Sequence, residues 1–161
     1  MTKRVFSTLF FILILVTFSA SQTVIKPPEN KFKVEDDLKI GKETSEKIEG
    51  QYPLLKDEEV IKYIQGIGLK LSRAIPPYLT NNKFQFVFKV LDVSDENAWA
   101  LPGGRIYLHR GLLTIVRNES ELAGIIAHEM SHVILRHTTA KMTQIENPVN
   151  KLIINILVLE G

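Results

Sequence analysis

The sequence predicts an α+β fold, mostly helical, with a small β-sheet and one central helix, and three observations carry that prediction. Two stretches before residue 75 space their apolar residues helically. Residues 83–93, KFQFVFKVLDV, set Phe84, Phe86, Phe88 and Val90 against Lys83, Gln85 and Lys89, the alternation of a half-buried strand. Residues 118–137, NESELAGIIAHEMSHVILRH, join a helix-start signal to a long apolar stripe that His128, Glu129 and His132 interrupt.

The elements follow in order from the N-terminus. MTKR is basic, VFSTLFFILILVTF is an apolar run of 14, and small residues stand at Ser19 and Ser21. That is the pattern of a secretory signal peptide over residues 1–21, because the run falls short of the roughly 20 residues that span a bilayer. A membrane anchor that stays attached is the alternative. The chain has no cysteine, which excludes disulfides, thiolate ligands, a cysteine nucleophile and lipid attachment at cysteine. Export without disulfides points to a bacterial periplasm or exterior. The 161 residues carry 20 basic and 18 acidic side chains, and without Lys3 and Arg4 the balance is 18 to 18. Such a neutral chain offers no basic footprint for nucleic acid.

Residues 22–34 read as an extended leader, since Pro27 and Pro28 block a helix. The domain proper is expected over 35–161. A first helix is predicted over 35–50 with Leu38, Gly41, Ser45 and Ile48 on its buried stripe. Asp57 caps a second through Ala74, burying Val60, Ile61, Ile64, Ile67, Leu69 and Leu71, and Pro76 and Pro77 end it. After the strand at 83–93, a second extended stretch covers 97–101. Pro102-Gly103-Gly104 then turns the chain into a further strand, RIYLH, at 105–109. A short helical piece, GLLTIV, precedes the long helix, for which Asn118 is the N-cap with Glu121 at capping-box spacing.

On a wheel of about 100° per residue, His132 falls about 40° and Glu129 about 100° from His128, while Leu122, Ala123, Ile126, Met130, Val133 and Ile134 crowd the opposite side. One face packs and the other can bind a divalent metal, with Glu129 as general base. An exposed helix face carrying two histidines and a glutamate is the plainer alternative. On a continuous helix His137 lands about 180° from His128 and cannot share a metal, so it is expected to cap or pack near the helix end. His109 is expected to be structural or at the surface. Glu146 and Glu160 are the downstream carboxylates. Trp99 either lines a pocket or fills the core, with core packing favoured for a single large aromatic.

NAWALPGGRIYLHRGLL at 97–113, followed by the 118–137 segment, resembles the HtpX-like and CAAX-prenyl-endopeptidase family of zinc metallopeptidases. Within it, the likeness is to the soluble periplasmic, beta-barrel assembly-enhancing protease-like branch. The resemblance extends upstream through IGKETSEKIEGQYPLL and IQGIGLKL. It implies a zincin-like fold around an H-E-x-x-H helix, one zinc per chain on His128 and His132, and Glu129 as catalytic base. It also implies an edge strand, Asn97, Ala98, Trp99, Ala100 and Leu101, beside a peptide or protein substrate. The third zinc ligand would be a glutamate on a later helix, several tens of residues on, so the chain is expected to be the N-terminal part of such a domain. KLIINILVL at 151–159 would begin the apolar segment between them. The activity implied is metalloendopeptidase action in envelope protein quality control, with outer-membrane or envelope proteins as partners. A non-catalytic binding or chaperone-like module on a zincin scaffold, or a membrane-tethered structural protein, would share several of these features.

Overall fold

The computed structural model describes residues 25–82 and 84–145. The expected signal peptide at 1–21, the apolar segment at 151–159, and Glu146 and Glu160 lie outside the described residues. Among the described residues no helix is long and apolar enough to cross a membrane.

Residues 25–33 carry no helix or strand and lead into α1, Val34–Gln51. Its first turn holds Glu35, Asp36 and Asp37, which suits the positive end of a helix dipole, and the Asp36 carboxylate accepts from the Lys33 N–H at 2.8 Å. The buried stripe is Asp37, Gly41, Thr44, Ser45 and Ile48. Leu38, expected inside, is 44% exposed, because Asp37 turns inward to a charged partner described below. Gly41 marks a close approach: a Cβ there would stand 1.8 Å from the Pro102 carbonyl oxygen.

α2, Glu58–Arg73, begins where Asp57 accepts from the N–H groups of Glu59 and Val60, at 3.0 and 3.2 Å. Ile64 and Ile67 are buried, and Val60, Ile61 and Leu71 are half-buried. Leu69 is 53% exposed, contrary to expectation. It sits about 200° from Ile67 on the wheel, which turns it away from the core. A 3-10 turn, Pro77–Asn82, follows.

The sheet has three strands, β1 (Val87–Leu91), β2 (Ala98–Leu101) and β3 (Arg105–His109), in the order β1-β3-β2. β1 lies parallel to β3 and β2 antiparallel to it. Regular pairing in β1 starts later than the 83–93 alternation suggests. Phe84 and Phe86 are half-buried and Gln85 exposed as expected, but β3 begins only at Arg105, opposite Val87. The β2–β3 turn needs its two glycines, with φ of +81° at Gly103 and +110° at Gly104.

The pleat separates two cores. Phe88, Val90, Ile106 and Leu108 face α2 and the long helix, with Ala98 and Ala100 packed on the same side. Leu91, Trp99, Leu101 and Tyr107 form the other with Ile48 of α1. α3, Arg110–Ile115, leads from β3 to α4, Glu119–Ile134, and α5, His137–Gln144, follows. The architecture is thus α+β, mostly helical around a small sheet.

His109 is structural, as expected. It is 1% exposed on the α1 side of the sheet, its ring edge-on to Trp99 with centroids 4.4 Å apart. Among the described residues neither ring nitrogen has a hydrogen-bond partner, and burial pushes the imidazole pKa down, opposed in part by Asp95. An unfolded histidine titrates near about 6.5, so below that pH the unfolded chain binds more protons than the folded one. Stability from this residue is complete above about 6.5 and is lost as pH falls through the lowered folded value. Urea unfolding between pH 7.5 and 5 should therefore show a smaller acid-side loss in His109→Phe than in the natural sequence. Equal losses in both would contradict this.

Candidate metal centre

α4 starts as its sequence predicts, with Asn118 Oδ1 accepting from the Glu121 N–H at 3.0 Å. The reciprocal half of the box lands one residue earlier: Glu121 accepts from the Arg117 N–H at 2.9 Å and pairs with its guanidinium. Leu122, Ile126, Met130 and Val133 are buried, each contributing about 1.5–3 kcal/mol of apolar burial. This fixes the rotation of the helix about its axis. Ala98 and Ala100, being small, let α4 lie close to β2.

The opposite face presents His128 and His132. Their Nε2 atoms are 3.1 Å apart and their rings meet nearly at right angles, with centroids 4.8 Å apart. Two nitrogens each about 2.0–2.1 Å from a tetrahedral ion stand about 3.3 Å apart, so the pair fits as two ligands of one metal. Glu129 is half-buried beside them. Burial raises its pKa, against a lowering influence from His128. Burial lowers the pKa of His132, and His137 and His128 lower it further. Among the described residues no group of three or more His, Asp or Glu side chains is placed to hold a metal, so no third ligand is found there.

His137 is not where a continuous helix would put it. α4 ends at Ile134, and Arg136 adopts the left-handed conformation, φ +56° and ψ +37°, before α5 begins at His137. This break brings His137 Nδ1 to 2.8 Å from His132 Nδ1. The expectation of a residue packed near the helix end holds, but the wheel placing it opposite His128 does not. A lock holds the break. Arg136 Nε donates to Asp37 Oδ2 at 2.5 Å and Arg136 Nη2 to the Phe32 carbonyl at 2.7 Å. Thr139 Oγ1 donates to Asp37 Oδ1 and accepts from Asn30 Nδ2, both at 2.8 Å.

Among the described residues β2 is an edge strand, paired with β3 alone. The His109 N–H donates to the Asn97 carbonyl at 2.9 Å, so by antiparallel alternation the backbone groups of Ala98 and Ala100 point to the outer edge. Asn97 Oδ1 accepts from the Ala98 N–H at 2.8 Å. Trp99 and Leu101 are buried on the far face, where Tyr52 packs edge-on against the indole. Ala100, Leu101, Pro102, His132, Val133 and Arg136 help line a small cleft between this edge and the helix break.

Residues 60–160 match the sequence profile of peptidase family M48. The chain belongs to that family. It is 32% identical over 106 residues to the beta-barrel assembly-enhancing protease of Escherichia coli, a match covering 66% of this chain and 21% of that protein. It is 30% identical over 111 residues to the putative beta-barrel assembly-enhancing protease of Vibrio cholerae, covering 69% and 22%. It is also 40% identical over 55 residues to metalloprotease YcaL of Escherichia coli, covering 34% and 21%. The chain spans about a fifth of the length of these relatives.

In this M48 chain the structure brings His128, His132 and Glu129 to one face of α4 and sets Asn97, Ala98 and Ala100 along the neighbouring edge. It turns the side chains of Trp99 and Leu101 to the other side of the sheet. Sequence reasoning missed Asp37, Arg136 and the histidine contact. No local pattern reports a pair 99 residues apart, although an aspartate on an otherwise apolar or small stripe was a signal within reach.

Asp37 is wholly buried and the Arg136 side chain is 14% exposed, so removing one partner strands a charge. Asp37→Ala should lower unfolding stability by about 3–5 kcal/mol in urea titration. A loss below about 1 kcal/mol, the scale of an exposed ion pair, would show that the lock is not structural.

Proposed function

We propose that this chain is part of a zinc-dependent metalloendopeptidase with a zincin-like fold, holding one zinc ion through His128 and His132. The observation that carries the reading is the convergence of the two Nε2 atoms at 3.1 Å on a helix beside an open strand edge. The third ligand would come from outside the described residues. When bound, zinc supplies Lewis acidity to the scissile carbonyl and to the attacking water.

The chain's own residues do the rest. Glu129, next to His128 and not itself a ligand, takes a proton from the attacking water and delivers it to the leaving amine. Its half-buried position favours proton uptake, since burial raises its affinity for a proton. The outer edge of β2 orients an extended peptide through the Ala98 carbonyl and the N–H and carbonyl of Ala100, so that recognition is partly independent of side chains. Asn97 fixes the start of that edge by accepting from the Ala98 N–H. Protein substrates of the bacterial envelope, outer-membrane proteins among them, and an exported, periplasmic setting are the biological context proposed. The beta-barrel assembly named in its relatives and the signal-like residues 1–21 support it.

Two variants test the reading together. Glu129→Gln should cut peptide hydrolysis by about 10²–10⁴-fold while zinc stays bound, and His128→Ala should remove the zinc. Unchanged hydrolysis in Glu129→Gln, or zinc retained in His128→Ala, would reject the assignment.

A further inference from the structure

α4 and α5 are separated by one left-handed residue, and that break decides what His132 touches. Its Nε2 faces His128 at 3.1 Å, while its Nδ1, on the other side of the ring, meets His137 Nδ1 at 2.8 Å. Resting on the zinc reading above, we infer that His137 is a positioning residue for the metal ligand His132.

Proton count sets the roles of the two rings. A neutral imidazole carries a single N–H, and a ring that offers its Nε2 lone pair to a metal must hold that proton on Nδ1. The Nδ1–H of a half-buried ring then needs an acceptor. His137 Nδ1 is that acceptor, with its own proton on Nε2. The bond selects the ligating tautomer of His132, because the alternative would place a proton on Nε2 and block the lone pair. It also fixes the rotation of the ring and increases its basicity toward the metal. The contact lies on the side of His132 away from His128, which sets His137 apart from a third ligand in this geometry.

His137 is itself held. It is the first residue of α5, whose start is set by Arg136, tied to Asp37 and to the Phe32 carbonyl, and by Thr139, tied to Asp37 and Asn30. The N-terminal segment thus acts on the metal ligand through the helix break.

The test is zinc titration of the full chain against a chromophoric chelator, with His137→Phe and His137→Gln beside the natural sequence. His137→Phe should bind zinc about 10–100-fold more weakly, the usual cost of losing such a partner. His137→Gln, whose amide oxygen can accept from Nδ1–H, should recover most of the affinity. Thermal unfolding of the zinc-free variants should change little, which separates positioning from a general loss of structure. Independently, ring nitrogen NMR of the zinc-loaded natural chain should show His132 as the Nδ1–H tautomer. Natural affinity in His137→Phe, no recovery in His137→Gln, or an Nε2–H tautomer at His132 would each overturn the inference. Zinc that depends on His128 and His132 but not on His137 overturns this inference alone, whereas a natural chain that takes up no zinc overturns the proposed function as well.

Discussion

The pitch of α4 is the constraint on which the site depends. At 3.6 residues per turn, Leu122, Ile126, Met130 and Val133 share one face and are buried, so the helix cannot rotate without exposing them. The same pitch sends His128 and His132 out together on another face. Apolar burial therefore fixes the direction of two polar side chains that contribute nothing to the core. A change of register by one residue would swing both imidazoles by about 100° and separate them from the β2 edge.

α1 supports both walls of the cleft beside that face. At Gly41 it approaches the Pro102 backbone, where β2 leaves the sheet, and at Asp37 it meets Arg136, where α4 ends. The strand edge and the helix break thus share one support. Each contact needs an unusual residue: a glycine where a Cβ would collide with a carbonyl, and a buried carboxylate where an apolar residue would ordinarily stand. A buried carboxylate is tolerated because Arg136 and Thr139 satisfy both of its oxygens.

Much of this was legible in the sequence, because periodic and capping signals are local. Asp57 and Asn118 cap the helices they were expected to cap, and the Pro-Gly-Gly turn joins the two strands it was expected to join. The buried face of α4 follows its wheel, and Trp99 fills core. The misreadings have different physical origins. Leu38 shares the helical spacing of Gly41, Ser45 and Ile48, yet its neighbour Asp37 turns inward to Arg136 and Leu38 stays 44% exposed, while Leu69 stands about 200° from Ile67 on its own helix and faces out. His137 was assigned to the far side of a continuous helix. Nothing local in LRH announces a left-handed arginine, whose conformation is held by a residue near the other end of the chain. Tertiary contacts over such separations leave no periodic trace.

The central claim is that His128 and His132 jointly hold a zinc ion, and zinc-edge X-ray absorption tests it most directly. The zinc-loaded chain should show at least two imidazole nitrogens at about 2.0–2.1 Å, with the multiple-scattering pattern of histidine. In His132→Ala the imidazole contribution should fall. A zinc shell without histidine, or one that His132→Ala leaves unaltered, would contradict the account.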